Sequence, residues 1–340
     1  MEAARRHHAR SSGRDVTVLP AGHVSGEIPS HPVPACPVCG KGDGLPIAEG
    51  HDYELETCTN LWRVRKCGCG AQRLDPRPDN AALPVIYPPT YYSYAMSETL
   101  SPFVLWGKSV LDRLKFGAIL RRMTRPPASF LDIGCGDGHY LDLMAKQGLE
   151  PRNIFGIELG ASQGLRSKGF QVFDGRVEDC DIVAPGSLDL ITIFHVIEHV
   201  ADPVQVLRRI HDWLSPDGVL ALETPNTDSL DARLFRSRWW GGYHFPRHWV
   251  LFDPVSIRVA LEKAGLEVIA IRYQTGHSFW LYSFHHALRY NARLPMPRLA
   301  RLFDPLRSKI LLMLFTALDI VRRTLGMKTS AMLVLARRKN

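Results

Sequence analysis

A chain of 340 residues, 45% apolar and 22% charged, is long enough to bury one large core with a smaller module attached, as a soluble globular protein does. Its net charge of +8 favours acidic partners such as nucleic acid, sugar nucleotides or an anionic lipid surface, without choosing among them. The longest apolar run, Ile310 to Val321, is about a dozen residues with Asp319 inside it, whereas a helix needs roughly 20 to cross a bilayer, so no membrane span is expected.

Residues 1–30 are polar, rich in Gly, Ser, Arg and His, and lack the apolar core of a signal peptide; they read as a disordered tail. Seven cysteines without a secretory signal lead to the expectation of a cytoplasmic chain, where clustered Cys binds zinc more often than it forms disulfides. Residues 31–80 hold the cluster. Cys36 and Cys39 sit in "CPVCG", and Cys67 and Cys69 in "CGCG". Four thiolates make a closed structural zinc site, and the metal organises a segment too small to hold together by apolar burial alone. The second knuckle is one residue shorter than CxxC, which leaves Cys58 as an alternative fourth ligand. Residues 81–125 read as a linker and helical connection. Tyr87, Tyr91, Tyr92 and Tyr94, in its Pro-rich start, either pack onto the next domain or line a substrate pocket.

From Ser129 onward apolar strands alternate with amphipathic helical segments, which implies a parallel sheet flanked by helices. "LDIGCGDGHYL" places Asp132 at the end of the first of these strands. Gly134, Gly136 and Gly138 follow, and a helix starts near His139. The glycines let the backbone turn tightly and let a ligand approach it, in a GxGxG spacing that differs from the dinucleotide GxGxxG.

With Asp132 before it and Glu158 ending the next strand, this loop resembles the motif of class I S-adenosylmethionine-dependent methyltransferases. The resemblance implies a Rossmann-like, seven-stranded α/β sheet with helices on both faces, spanning residues 126–275 and completed by a last strand in 329–340. It implies S-adenosyl-L-methionine as cofactor, held by Asp132, Gly134, Cys135, Gly136, Gly138, Glu158, Glu178 and Phe194. Glu158 stands where the family's acid accepts both ribose hydroxyls, a task suited to a carboxylate with two acceptor oxygens. Arg176 occupies the place where an acid near the adenine is usual. Upstream, "CPVCG", "CGCGAQRLDPRP" and "YPPTYY" resemble bacterial methyltransferases with an N-terminal zinc ribbon, some of which act on sugars. The implied reaction is methyl transfer to a sugar or related small metabolite, nucleotide- or lipid-linked, in a glycan or natural-product pathway. An RNA methyltransferase is the alternative, with no RNA-binding module beyond the ribbon and no long basic face to support a nucleic-acid partner. A non-enzymatic zinc-ribbon interaction protein is opposed by the intact Asp132, glycines and Glu158.

"FHVIEHVADP" follows the fourth strand, where open parallel sheets bind ligands. Val196, Ile197 and Val200 can face the sheet while His195, Glu198 and His199 face the cleft, and Asp202 and Pro203 cap and start the next helix. A neutral imidazole suits the removal of an acceptor's proton, which makes His195 the first candidate for a base. The segment also resembles the "ExxEH" of small-RNA terminal 2'-O-methyltransferases and the related stretch of ubiquinone-pathway O-methyltransferases. That resemblance implies a second divalent metal at Glu198, His199 and His248. His195 replaces the first Glu, which reduces the negative charge and weakens the case for magnesium in particular. "RWWGGYHFPRHWVLFD" adds His248 and Tyr243 as catalytic candidates, His244 as a further donor, and Arg247 for a phosphate or carboxylate, with Arg236 and Arg238 nearby. Trp239, Trp240 and Trp249 either stack on the substrate or pack as a lid.

Residues 276–328 carry nine Lys/Arg against two Asp, interleaved with apolar clusters. They read as a helical insertion that either caps the substrate pocket or lies peripherally on the inner membrane face through residues 296–326.

Overall fold

The computed structural model describes residues 26–88, 102–160, 163–305 and 307–339. The tail up to residue 25 and Tyr91, Tyr92 and Tyr94 lie outside the described residues. The N-terminal module begins with a short strand, β1 (Ser30–His31). An antiparallel meander follows, made of β2 (Leu45–Gly50), β3 (Trp62–Lys66) and β4 (Gln72–Leu74), and β5 (Arg77–Pro78) returns to pair with β1. Its two knuckles turn on left-handed glycines, Gly40 at φ +83° and Gly70 at φ +95°, conformations an L side chain resists.

Seven strands form the main sheet: β6 (Phe130–Ile133), β7 (Ile154–Glu158), β8 (Gln171–Asp174), β9 (Leu188–Phe194), β10 (Leu214–Pro225), β12 (Leu266–Gln274) and β13 (Ala331–Arg338). Their spatial order is β12-β13-β10-β9-β6-β7-β8. All neighbours are parallel except β13, which runs antiparallel to both β10 and β12. The central strand β9 is buried along almost its whole length, as a strand covered on both faces must be. This is a Rossmann-like α/β sheet, of the kind the glycine-loop resemblance implies. The strand order reverses between β6 and β9, so the ligand crevice lies at the carboxyl ends of those two strands.

One face of the sheet is covered by Phe116 and Ile119 of the Pro102–Leu120 helix and by Leu141 and Met144 of the His139–Lys146 helix. The other face shares a continuous core with the N-terminal module, where Trp62, Val64, Leu74 and Ile86 pack in one cluster with Ile191, Ile193, Leu220 and Leu222. The short strand β11 (Val250–Leu251), from the segment after β10, adds to the edge of the module's meander beside β4. Module and sheet are joined by backbone pairing as well as by packing. Between β12 and β13 the chain forms the helices His277–Arg289, Pro297–Ala300 and Lys309–Thr324.

Candidate active site

The glycine loop lies at the end of β6. Gly134, Gly136 and Gly138 all take left-handed φ, +78°, +52° and +82°. A Cβ at Gly134 would meet Val196 Cγ2 at 2.3 Å and one at Gly138 would meet Leu165 at 2.4 Å, whereas Gly136 faces open space. The loop is therefore pinned at its ends and bare in the middle, the shape that lets a ligand rest on backbone. Glu158 ends β7 and accepts from Gly136 N–H and Leu159 N–H, each at 2.8 Å, which leaves a second lone pair on each oxygen. Asp132 is buried and accepts from Thr192 Oγ at 2.6 Å. Open space over Gly136, with a carboxylate at the next strand end, fits an S-adenosylmethionine site. The other residues expected there differ in what they offer. Cys135 turns its thiol inward against Gly156 and contributes backbone alone. Glu178 is engaged by Arg176 at 2.8 Å. Phe194 packs against Phe116 and Tyr140, with the Lys115 ammonium 4.7 Å from its ring centre.

Beyond β9 the chain makes a strained turn. Glu56, His195 and His244 are the non-glycine residues with left-handed φ among the described residues, and His195 (+56°) and His244 (+42°) both belong to this site. The His195 N–H donates to Glu223 O, which hangs the ring between two carboxylates. Nδ1 lies 3.2 Å from Glu198 Oε1 and Nε2 lies 3.6 Å from Glu223 Oε1. Glu223, at the end of β10, is also paired with Lys115 at 2.7 Å. The His195 side chain keeps 43% of its surface open, yet sits deep enough that desolvation opposes its charge. Glu198 and Glu223 outweigh that, and the pKa is pushed up to about 10. The two carboxylates thus stabilise the protonated form of the His195 ring.

His199 and His248 are the reverse. His199 Nδ1 faces Arg247 O at 3.0 Å and Tyr87 Oη at 2.9 Å, and His248 Nδ1 faces Gly242 O at 2.7 Å. A carbonyl only accepts, so both rings carry their proton on Nδ1 and leave Nε2 bare. Burial lowers both pKa values. His199 falls to about 4, because burial and the nearby imidazoles outweigh Glu198, and His248 falls well below its ordinary value. Glu198 is fully buried, and its second oxygen accepts from Thr224 Oγ at 3.0 Å. One donor atom each from Glu198, His199 and His248 lies within 4.8 Å of the others. Two neutral imidazoles, oriented by carbonyls and joined by one carboxylate, fit a divalent ion with open positions. His244 adds a further ring beside them and meets Glu54 of the N-terminal module at 2.8 Å.

In the module, Cys36, Cys39, Cys67 and Cys69 likewise bring their sulfurs within 4.8 Å, with Cys36–Cys69 at 3.8 Å and Cys39–Cys67 at 3.4 Å. A tetrahedron with Zn–S near 2.3 Å requires S···S of about 3.8 Å, so the four fit a structural zinc. Cys58 is buried outside this group.

Other expected contacts go elsewhere. Arg247 is not available to a phosphate. It is fully buried in a bidentate pair with Asp52 of the module, Nη1–Oδ1 3.0 Å and Nη2–Oδ2 2.9 Å, and also donates to Ile86 O at 2.7 Å. Tyr243 is buried and donates its hydroxyl to Arg236 O, and Arg238 pairs with Glu49. Trp240 and Trp249 are buried and satisfied by Asp231 and Pro246 O, which makes them packing; only Trp239 stays half-buried. Glu223, Lys115, Glu54 and Asp52 were absent from the sequence-derived site. An acid at the carboxyl end of a buried strand was the one signal that could have flagged Glu223.

The buried neutral rings set a pH dependence. His199 and His286 have folded pKa values of about 4 and about 3, below the unfolded 6.5, so unfolding takes up protons as pH falls. Their contribution is complete above pH 6.5 and is lost toward pH 4, by on the order of 3 kcal/mol for His199 alone. His195 acts oppositely, its stabilisation being present below pH 6.5 and lost as pH rises through about 10. A melting temperature that stayed flat from pH 6.5 to 4 would contradict these assignments.

Residues 110–271 match the family model described as "Methyltransferase domain". Strands β6 to β10 and the glycine loop fall within this matched region. Among curated relatives, a ubiquinone biosynthesis O-methyltransferase of Xanthomonas campestris pv. campestris is 34% identical over 121 residues, covering 34% of this chain and 51% of the relative. The Pseudomonas aeruginosa enzyme of the same description is 33% identical over 104 residues, 28% of this chain and 44% of its own length. The chain thus spans about half the length of the curated relatives it matches. Among solved structures, a Burkholderia thailandensis 1,6-didemethyltoxoflavin-N1-methyltransferase with bound S-adenosylhomocysteine aligns at 13% identity and TM-score 0.46, covering 82% of this chain and 96% of that one.

Proposed function

We propose that the chain methylates a hydroxyl oxygen of a small metabolite or sugar with S-adenosylmethionine as methyl donor. The observation that carries this reading is the joining of two sites at one sheet edge. Gly134 is held under Val196, the residue between His195 and the Glu198–His199 pair, so the glycine cradle and the polar cluster share a wall. The relatives' description as O-methyltransferases supports oxygen as the acceptor.

Methyl transfer from a sulfonium is an in-line displacement, so the protein's work is alignment of the acceptor and disposal of its proton. Glu158 and the backbone around Gly136 hold the donor's ribose and amino-acid part. Glu198, His199 and His248 would hold a divalent ion, which would supply Lewis acidity to the acceptor oxygen. His199 and His248 keep their Nε2 lone pairs directed by the carbonyls of Arg247 and Gly242. As the C–O bond forms and the C–S bond breaks, the acceptor's proton passes to His195, whose imidazolium is stabilised between Glu198 and Glu223. A structural zinc at the four cysteines would hold the module whose Asp52 and Glu54, with Tyr87 just beyond it, brace this cluster. Labelled-methyl transfer from S-adenosylmethionine into a cell extract fractionated by chemical class tests the reading. Label in a base-stable ether of a small-molecule or glycan fraction is expected, and label in RNA alone would overturn it.

A further inference from the structure

The Lys309–Thr324 helix turns a buried ion pair inward and an apolar stripe outward. Asp319 and Arg322 face inward as a buried pair at 3.0 Å, and Asp319 also accepts from Gly276 N–H at 2.9 Å and Trp280 Nε1 at 3.4 Å. These bonds set the rotation of the helix about its axis. The result is that Ile310, Met313, Leu314, Leu318 and Val321, with Leu325 just beyond, point outward, with Ile310 70%, Leu314 59% and Leu325 71% exposed. At 100° per residue those six side chains and Ala317 fall on one continuous stripe with no charge in it. Scattered exposed leucines are ordinary, but a stripe held outward by a buried ion pair calls for a covering.

The surrounding charge says what covers it. Of the nine Lys/Arg in residues 276–328, Arg289, Arg307, Arg322 and Lys328 have acidic partners. Arg293, Arg298, Arg301, Lys309 and Arg323 have none among the described residues, and both acids of the insertion, Asp304 and Asp319, are already paired. A second copy of the chain would bring like charges together, whereas an anionic lipid surface takes up the apolar stripe and neutralises its basic flanks. No described helix is long and apolar enough to cross a membrane.

We infer that this helix lies in the interface of an anionic membrane, stripe down. The insertion also reaches the polar cluster. Trp280 stacks on Phe315 of the same helix at 5.6 Å, and its neighbour Phe279 lies 6.4 Å from His195. An acceptor drawn from the lipid surface would have a short path to the site.

Flotation of the full chain tests this without any activity readout. Vesicles of phosphatidylcholine alone are compared with vesicles containing about one-third phosphatidylglycerol. The variant L314Q/L318Q/V321Q changes only exposed side chains and should keep its melting temperature. The expected result is flotation with the anionic vesicles, weakened by salt and reduced roughly tenfold in the triple variant. Absence of flotation, or equal flotation of the triple variant, would overturn the proposal. So would a dimer in lipid-free sedimentation that the triple variant dissociates, since the stripe would then belong to a second copy.

Discussion

Asp52→Asn should destabilise the folded chain by about 3–5 kcal/mol, because it leaves the Arg247 guanidinium buried without its counter-charge. The pair is fully excluded from water, bidentate, and joins residues 195 positions apart. Asp52 is anchored further by Thr57 Oγ at 2.6 Å and by the N–H groups of Leu55 and Thr57. Burial opposes its charge, but Arg247 and these donors hold its pKa down at about 2. Its contribution is therefore complete above pH 4 and fades only as pH falls through about 2, which sets it apart from the histidine loss between pH 6.5 and 4. Thermal denaturation should show a drop of about 5–15 °C for the single variant. The double variant Asp52→Asn/Arg247→Met should recover part of it, since removing both charges removes the uncompensated one. A single variant melting within about 2 °C of the parent would show that the pair does not join the module to the sheet. Some loss of turnover should accompany the loss of stability, because Arg247 O is the acceptor that orients His199.

His199→Ala should lower methyl transfer on the order of 10²-fold or more while leaving S-adenosylhomocysteine binding unchanged. The ring contributes to the cluster with Glu198 and His248, not to the glycine cradle. Glu198→Gln keeps the shape but removes a charge and one acceptor oxygen, and should fall similarly. Chelation followed by dialysis should reproduce the loss in the parent, and restoring a divalent ion should reverse it. The Cys36, Cys39, Cys67 and Cys69 site must be followed separately, by far-ultraviolet dichroism, since stripping a structural zinc from it would loosen the module. Activity that survives exhaustive chelation while His199→Ala still loses it would assign His199 a proton-transfer role instead. Equal activity in His199→Ala and the parent would remove the cluster from the mechanism.

The parallel sheet was legible because its strands are near-continuous apolar runs ending in chemically marked loops: "LDIGCGDG" after β6, Glu158 after β7 and "FHVIEH" after β9. Local spacing also announces the four cysteines. What sequence could not show was partnership across distance. Arg247 looked like an anion binder because its partner lies 195 residues upstream, in a module that reads as independent. His195 stands three residues before Glu198 in sequence, but nothing there shows that Glu223 reaches its ring from a neighbouring strand as a second carboxylate. Sequence leaves Trp240 and Trp249 open between stacking on a substrate and packing as a lid, and offers Tyr243 as a catalytic candidate, because a dense aromatic stretch carries the same composition whether it lines a pocket or fills a core. The insertion's basic, apolar composition was visible, but which way its helix turns depends on Asp319 meeting Gly276 and Trp280.

The central claim is that the crevice between β6 and β9 holds S-adenosylmethionine. Calorimetric titration with S-adenosylhomocysteine tests it most directly. The account predicts saturable one-to-one binding, weakened about 10- to 100-fold in Glu158→Ala through loss of charge-assisted hydrogen bonds. No saturable binding, or an affinity unchanged by Glu158→Ala, would contradict it.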